Sequence, residues 1–315
     1  MLILLQSFLF ANPVVDLYRT EGIKAVQQYI QEQLQSKSYW EEALKNKDVS
    51  YGYYENLSSL LVANKKKKKL SVYNVQNGNL ELLINYKDVI VGADGDKFKE
   101  GDLKTPLGVY EITRKFIPSD QFYGPLAFPL SYPNTYDKVQ GKDGHGIWIH
   151  GSPLDGSPRD KQSKGCIVLD NSSIELLDKN IKPKKSITIV SEQDIHSVNV
   201  SEISTILSEF FQWKMAWQKN NLEKYLSFYS KDFKRFDGMR KRKFTAMKKT
   251  IFARNHKKDI VFKNINISPY PNEEGKNLFK IAFYEIYKTK RYKFRGNKEL
   301  YIELHDANFT ILSER

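Results

Sequence analysis

A polar stretch, SEQDIHSVNVSE (191–202), separates two kinds of sequence that one hydrophobic core cannot serve. Before it, from about residue 65, short apolar runs alternate with Gly, Pro, Asn and Asp, the mark of strands and turns. After it come aromatic residues at helical spacing and then long alternating segments. A chain of 315 residues also exceeds one ordinary domain. The stretch therefore reads as a linker, and the fold class is α+β. The expected units are an N-terminal helical segment (12–64), a mostly-β domain (65–192) and a second α+β domain (201–315).

In the first unit Ile23, Val26, Ile30 and Leu34 recur at helical spacing, and Tyr39, Trp40, Ala43 and Leu44 continue the pattern. Its polar opposite face predicts packing on a neighbour, or a homodimer made through a second copy. Lys65–Lys69 reads as a lysine-rich approach to the strand LSVYNV, with its charges splayed alternately. Asn77-Gly78 is a hairpin turn and LELLINY the return strand. DVIVGADGD and GVYEI continue in β fashion, GIWIHG and CIVL are short apolar strands, and SITIV is the last. NSSIELLDKNI between them reads as a short helix capped by Asn171 or Ser172. Beyond the linker, residues 201–230 form an aromatic helix pair, and 258–315 read as antiparallel strands.

The formal net charge is +13, which favours an anionic partner: nucleic acid, acidic lipid or a cell-wall polymer. The basic cluster RKRKF with Lys248 and Lys249 interleaves with Phe244 and Met247, so it reads as a solvated helix face, and no nucleic-acid partner is expected. MLILLQSFLFA (1–11) reads as a short, atypical export signal ending at Ala11. No other segment approaches the roughly 20 apolar residues of a membrane span, so no stable membrane insertion is expected, and the exported chain is placed in the periplasm.

There is one cysteine. It cannot form an internal disulfide or a cysteine metal cluster, and in an oxidising compartment a free thiol is a liability. Cys166 heads one apolar run and His150 ends another. The spacer between them is rich in Gly, Ser, Pro, Asp and Lys, hence a surface loop. Two neighbouring strands joined by such a loop bring thiol and imidazole to one rim, where the histidine lowers the thiol pKa or takes its proton. Gly165 lets substrate approach the backbone, and the N–H groups of Gly165 and Cys166 offer an oxyanion hole. His145, five residues before His150, falls on the opposite strand face or in a loop, as a rim residue touching substrate. The other histidines are scattered, so neither metal nor cofactor is expected.

The pattern HG…SKGC closely resembles the signature of L,D-transpeptidase-type (YkuD) catalytic domains, and GDLKTPLGVYEI (101–112) resembles that family's second recurrent stretch. The resemblance covers roughly residues 65–192. It implies a β-sandwich-like fold, with Cys166 as nucleophile, His150 as general base and the Gly151 carbonyl holding the imidazole tautomer. Ser163, Lys164 and Gly165 shape the pocket. Many family members carry Arg or Asn where this chain has Val168, so substrate grip is transferred to Lys164 and Arg159. The implied substrate is the peptidoglycan stem peptide, cleaved between diaminopimelate and D-alanine.

The three-part architecture resembles the cell-shape-determining LD-carboxypeptidases of helical Gram-negative bacteria, and WKMAWQKNNLEKYLSFYSKDF (213–233) resembles the opening helices of an NTF2-like domain. That fold implies a conical pocket, for which Tyr284, Arg291, Lys298 and Glu314 are the candidate lining. The expected function is an LD-carboxypeptidase that trims tetrapeptides to tripeptides through a thioester. The same dyad serves an L,D-transpeptidase that makes 3–3 crosslinks or exchanges D-amino acids. A non-catalytic peptidoglycan-binding scaffold is the reading from a different class.

Overall fold

The computed structural model describes residues 12–315; the apolar run 1–11, read above as a leader, lies outside the described residues. Three helices come first: α1 (Pro13–Glu21), α2 (Ile23–Leu34) and α3 (Lys37–Leu44). Asn12 caps α1 by accepting the Val14 N–H, with Pro13 in the first turn, and Ser36 caps α3. The helical reading of 12–64 ends at Leu44. β1 (Tyr53–Tyr54) and β2 (Ser59–Asn64) follow. Every residue of β2 is buried, because Leu61 and Ala63 face one core while Leu60 and Val62 face another. A strand covered on both faces has no alternation to read, so its apolar run passes for a piece of buried helix.

β3 (Lys69–Gln76) and β4 (Asn79–Tyr86) form the expected hairpin, with Asn77 and Gly78 both at positive φ. The lysine run is not a strand approach with splayed charges. Asn64 pairs with Lys69, so the run is the turn between β2 and β3. Lys65 is buried there and ion-paired with Glu192 at 2.7 Å.

The middle region continues with β5 (Gly108–Glu111), β6 (Ala127–Pro129), α4 (Thr135–Gln140), β7 (Trp148–His150), β8 (Ile167–Val168), α5 (Asn171–Asn180) and β9 (Ser186–Ser191). One sheet has the order β4-β3-β2-β9-β5, with β2 and β9 parallel; a smaller one has the order β6-β7-β8, with β7 and β8 parallel. Leu61, Val72, Tyr110, Phe128, Ile149 and Ile167 fill the space between them, closed by Ile174 and Leu177 of α5. Asp170, rather than Asn171 or Ser172, caps α5. The strand expected over DVIVGADGD reduces to two bridges, Ile90 to Val168 and Ala93 to Lys104.

The last region holds α6 (Val200–Gln218), α7 (Leu222–Ser227), α8 (Lys241–Ala253), β10 (Asp259–Pro269), β11 (Leu278–Lys288), β12 (Lys293–Leu304) and β13 (Phe309–Glu314). Asn199 and Glu202 start α6 with a reciprocal capping box. Ile203, Ile206, Phe210 and Trp213 of α6 pack on Phe262, Ile281, Phe283 and Ile302 of an antiparallel sheet of order β1-β10-β11-β12-β13. The N-terminal segment belongs to this domain. It supplies the edge strand β1, and Trp40 of α3 stacks on Phe211 of α6 at 5.7 Å. The two domains meet where Leu60, Val62, Val109 and Ile189 cover Tyr270, Leu278 and Tyr301, with Tyr136 of α4 stacked on Tyr301 at 5.1 Å.

Trp40 is 8% exposed, and its indole N–H bonds the Leu34 carbonyl. Trp40→Ala should destabilise the C-terminal domain by about 3–5 kcal/mol, read as a lower denaturant midpoint. A change below about 1 kcal/mol would mean that the N-terminal helices are only loosely attached.

Candidate active site

Parallel pairing of Ile149 with Ile167 and of His150 with Val168 brings the two motif ends side by side. Carried back one step, the register sets Cys166 beside Trp148. Cys166 and His150 then share a sheet face as diagonal neighbours, a backbone separation of roughly 7–8 Å. His150 is 1% exposed and Cys166 half-buried. The Tyr123 ring packs edge-on against the imidazole at 5.0 Å and lies tilted against Trp148 at 5.0 Å.

Burial pushes the His150 pKa down to about 4; Arg159 adds to this, and the bond to Gly151 opposes it. The imidazole is therefore neutral at pH 7. Its Nδ1 lies 2.7 Å from the Gly151 carbonyl oxygen. A carbonyl only accepts, so Nδ1 carries the proton and Nε2 keeps the basic lone pair. Gly151 must be glycine: a Cβ there would lie 2.5 Å from Asn171 Oδ1 and 2.9 Å from Pro125.

The thiol corrects one expectation. Of the two roles the sequence offers the histidine, lowering the thiol pKa or taking its proton, the first does not hold: burial pushes the Cys166 thiol up, and the Trp148 backbone, Arg159 and Lys97 pull the other way and are outweighed. Sγ donates to the Gly146 carbonyl at 3.4 Å. The resting pair is thus a neutral thiol and a neutral imidazole.

The turn before the nucleophile is tightly built. Ser163 Oγ donates to the Cys166 carbonyl at 2.6 Å and accepts the Gly165 N–H at 3.1 Å. The Gly165 N–H is therefore occupied, which corrects its assignment to the oxyanion hole. Among the described residues no protein group accepts the Cys166 N–H, which stays available. Gly165 has φ +123°, and a Cβ would meet the Lys104 carbonyl oxygen at 2.8 Å. Close packing, rather than substrate approach, is what requires glycine here.

Arg159 lies over the Phe122 ring at 4.2 Å, within electrostatic reach of the thiol. Lys164 is exposed. His145 sits on the loop before β7, exposed, 3.7 Å from Glu100. Val168 is buried in the sheet and its N–H bonds the Ile90 carbonyl. Tyr123 was invisible to sequence reasoning, because only tertiary folding brings it from 27 residues upstream to His150. Among the described residues no group of three or more His, Cys, Asp or Glu side chains could hold a metal, and no helix is long and apolar enough to cross a membrane.

In the C-terminal domain Arg291, Lys298 and Glu314 line a cavity of about 930 Å³ together with Glu285, Tyr287 and Trp217. Tyr284 does not. Strand alternation turns it to the other sheet face, where it lines the cleft between the domains. Glu285 takes its place, with its carboxyl pushed up to about 7 by burial and Oε2 unpartnered.

The fold thus sets a thiol and an imidazole on one sheet face of a mostly-β domain joined to an α+β domain of helices on an antiparallel sheet. Residues 58–189 match the L,D-transpeptidase catalytic domain (YkuD), and residues 205–315 match the Cds6 C-terminal NTF2-like domain. The chain belongs to the L,D-transpeptidase (YkuD) family, in a form carrying a C-terminal NTF2-like domain. It is similar to the helical cell shape determining protein Pgp2 of Campylobacter jejuni. The crystal structure of that protein is 44% identical, covers 89% of this chain and 99% of its own, and superposes with a TM-score of 0.85. Its K307A mutant gives 43%, 90%, 99% and 0.86. Bd1075 of Bdellovibrio bacteriovorus shares the fold at 24% identity over 85% of this chain and 96% of its own (TM-score 0.67). Escherichia coli YafK, which carries an L,D-transpeptidase name, is 31% identical over 112 residues, or 35% of this chain. The chain thus spans 42% of the length of that curated relative.

Two outcomes test the site. Ultraviolet titration of the thiolate should place Cys166 above the ordinary thiol value of about 8.5; a midpoint below that contradicts the desolvated thiol. Any reaction using His150 as base should lose rate only as pH falls toward about 4, because the lowered pKa keeps Nε2 free above it. An acid limb at the unperturbed value of about 6.5 would contradict the buried imidazole.

Proposed function

We propose that this protein is a peptidoglycan LD-carboxypeptidase that removes the terminal D-alanine from stem tetrapeptides to leave tripeptides. The observation that carries this reading is a neutral imidazole, fixed by its Nδ1–H on the Gly151 carbonyl, on the same sheet face as a half-buried thiol. Such a pair needs no preformed ion pair. Substrate displaces the thiol proton from the Gly146 carbonyl, and His150 Nε2 takes it as Sγ attacks the carbonyl on the L-centre of diaminopimelate. The Cys166 N–H faces the oxyanion. Collapse expels D-alanine, whose amine takes the proton back from His150, and leaves a thioester. Water, deprotonated by the same Nε2, then attacks the thioester; the C–S bond breaks, the tripeptide leaves and Sγ takes the proton back from His150.

Arg159, beside the thiol and braced on Phe122, suits the terminal carboxylate of the leaving D-alanine. Pocket residues Arg291, Lys298, Glu285 and Glu314 offer both signs of charge to a zwitterionic muropeptide. Peptidoglycan lies outside the cytoplasmic membrane, so the chain works in the periplasm, and trimming stems there alters crosslinking and hence cell shape. The net charge of +13 suits an anionic wall polymer.

Incubation with defined tetrapeptide muropeptides and separation of the products tests the reading. Free D-alanine plus tripeptide supports it. A 3–3 crosslinked dimer or D-amino-acid exchange replaces it with L,D-transpeptidation, and binding without turnover replaces it with a scaffold. Arg159→Ala should raise KM about tenfold with a smaller change in kcat, the loss of a charge-assisted bond. Lys298→Ala and Glu314→Ala should weaken muropeptide binding and leave the alkylation rate of Cys166 unchanged; unaltered affinity would remove the second site.

A further inference from the structure

The loop from Asp96 to Lys104 is tied around one carboxylate. Asp102 accepts the Phe98 and Lys99 N–H groups at 2.8 and 3.0 Å on one oxygen. Its other oxygen takes the Lys97 ammonium at 2.7 Å and the Lys104 N–H at 3.1 Å. Lys97 is 3% exposed, and its ammonium also donates to the Lys99 carbonyl at 2.9 Å. Nothing in the mechanism above uses this buried cation.

The knot touches the residue before the thiol and the strip that leads to the thiol's hydrogen-bond acceptor. On one side the Lys104 carbonyl packs against Gly165, the residue preceding the nucleophile. On the other, the Lys97 side chain lies against Gly144, the Phe98 carbonyl accepts the Asp143 N–H at 3.0 Å, and Asp143 accepts the Glu100 N–H at 2.7 Å. That second strip leads to Gly146, whose carbonyl holds the thiol proton.

The knot is in turn anchored to the C-terminal domain. Asp96 accepts the Lys97 and Leu107 N–H groups and pairs with the buried Lys142 ammonium at 2.5 Å. Lys142 also pairs with Asp137 at 3.2 Å, and Asp137 lies 3.3 Å from the Tyr270 hydroxyl. Glu273 accepts the Asp96 N–H. Removing one member of such a buried chain leaves an uncompensated charge.

We propose that the Lys97–Asp102 ion pair is a positioning device for the Cys166 thiol, held in register by the C-terminal domain through Asp96, Lys142, Asp137 and Tyr270. The inference rests on the reading of Cys166 as the nucleophile, though not on its substrate. The charged and titratable groups around the thiol are His150, Arg159, Tyr123 and Lys97 with its partner Asp102, and Lys164 is exposed nearby. His150 is neutral and Arg159 is partly solvated. Lys97 is thus the fixed, water-excluded cation among them, and it favours the thiolate as it forms.

The test is the pH profile of Cys166 alkylation by iodoacetamide in the full chain, for K97M, K97R and Y270F. K97M should move the profile to higher pH by about one unit, a roughly tenfold slower reaction at neutral pH. K97R should restore it, and Y270F should move it the same way by less. A folded K97M whose profile superposes on that of the unaltered protein overturns the proposal, and an unmoved Y270F removes the part assigned to the C-terminal domain. Should K97M not fold, K97Q applies the same test with a neutral polar side chain: an alkaline shift supports the device and an unmoved profile overturns it. Iodoacetamide needs no muropeptide, so failure here is distinct from failure to release D-alanine.

Discussion

The parallel contact of β7 with β8 is the constraint on which the site depends. Parallel neighbours need a long connection between them, and the 15 residues from Gly151 to Gly165 supply it as a polar loop. Ile149 and Ile167 are wholly buried and hold the two strands in register from below. A one-residue slip would turn His150 or Cys166 to the opposite face and separate them. The chemistry at the rim is therefore guaranteed by apolar packing beneath it.

Burial then sets the protonation states. The same desolvation that lowers the His150 pKa raises that of Cys166. A preformed thiolate–imidazolium pair would require charge separation in a site that disfavours both ions. General-base transfer, coupled to attack, avoids that cost. It also leaves the idle thiol protonated, and the thiolate is the form that oxidises.

Much of this was legible in the residues. The strands at GIWIHG, CIVL and SITIV and the Asn77-Gly78 hairpin follow from turn residues and short apolar runs. The opposed characters on either side of residues 191–202 mark the two domains. What escaped was what tertiary contact decides. β2 hid because both of its faces are covered. The lysines at 65–68 became a turn because Lys65 found Glu192, 127 residues away in the chain. Tyr284 and Glu285 exchanged roles through the parity of β11, which a one-residue shift inverts. Tyr123 reaches the imidazole from a short 3-10 turn that no local pattern predicts.

The most direct measurement is intact-protein mass spectrometry, with peptide mapping, on enzyme quenched during turnover of a tetrapeptide muropeptide. A covalent acyl adduct on Cys166, equal to the substrate less D-alanine and absent from His150→Gln, is the predicted result. Turnover with an unmodified Cys166, or an adduct that forms as readily without the imidazole, would contradict the account.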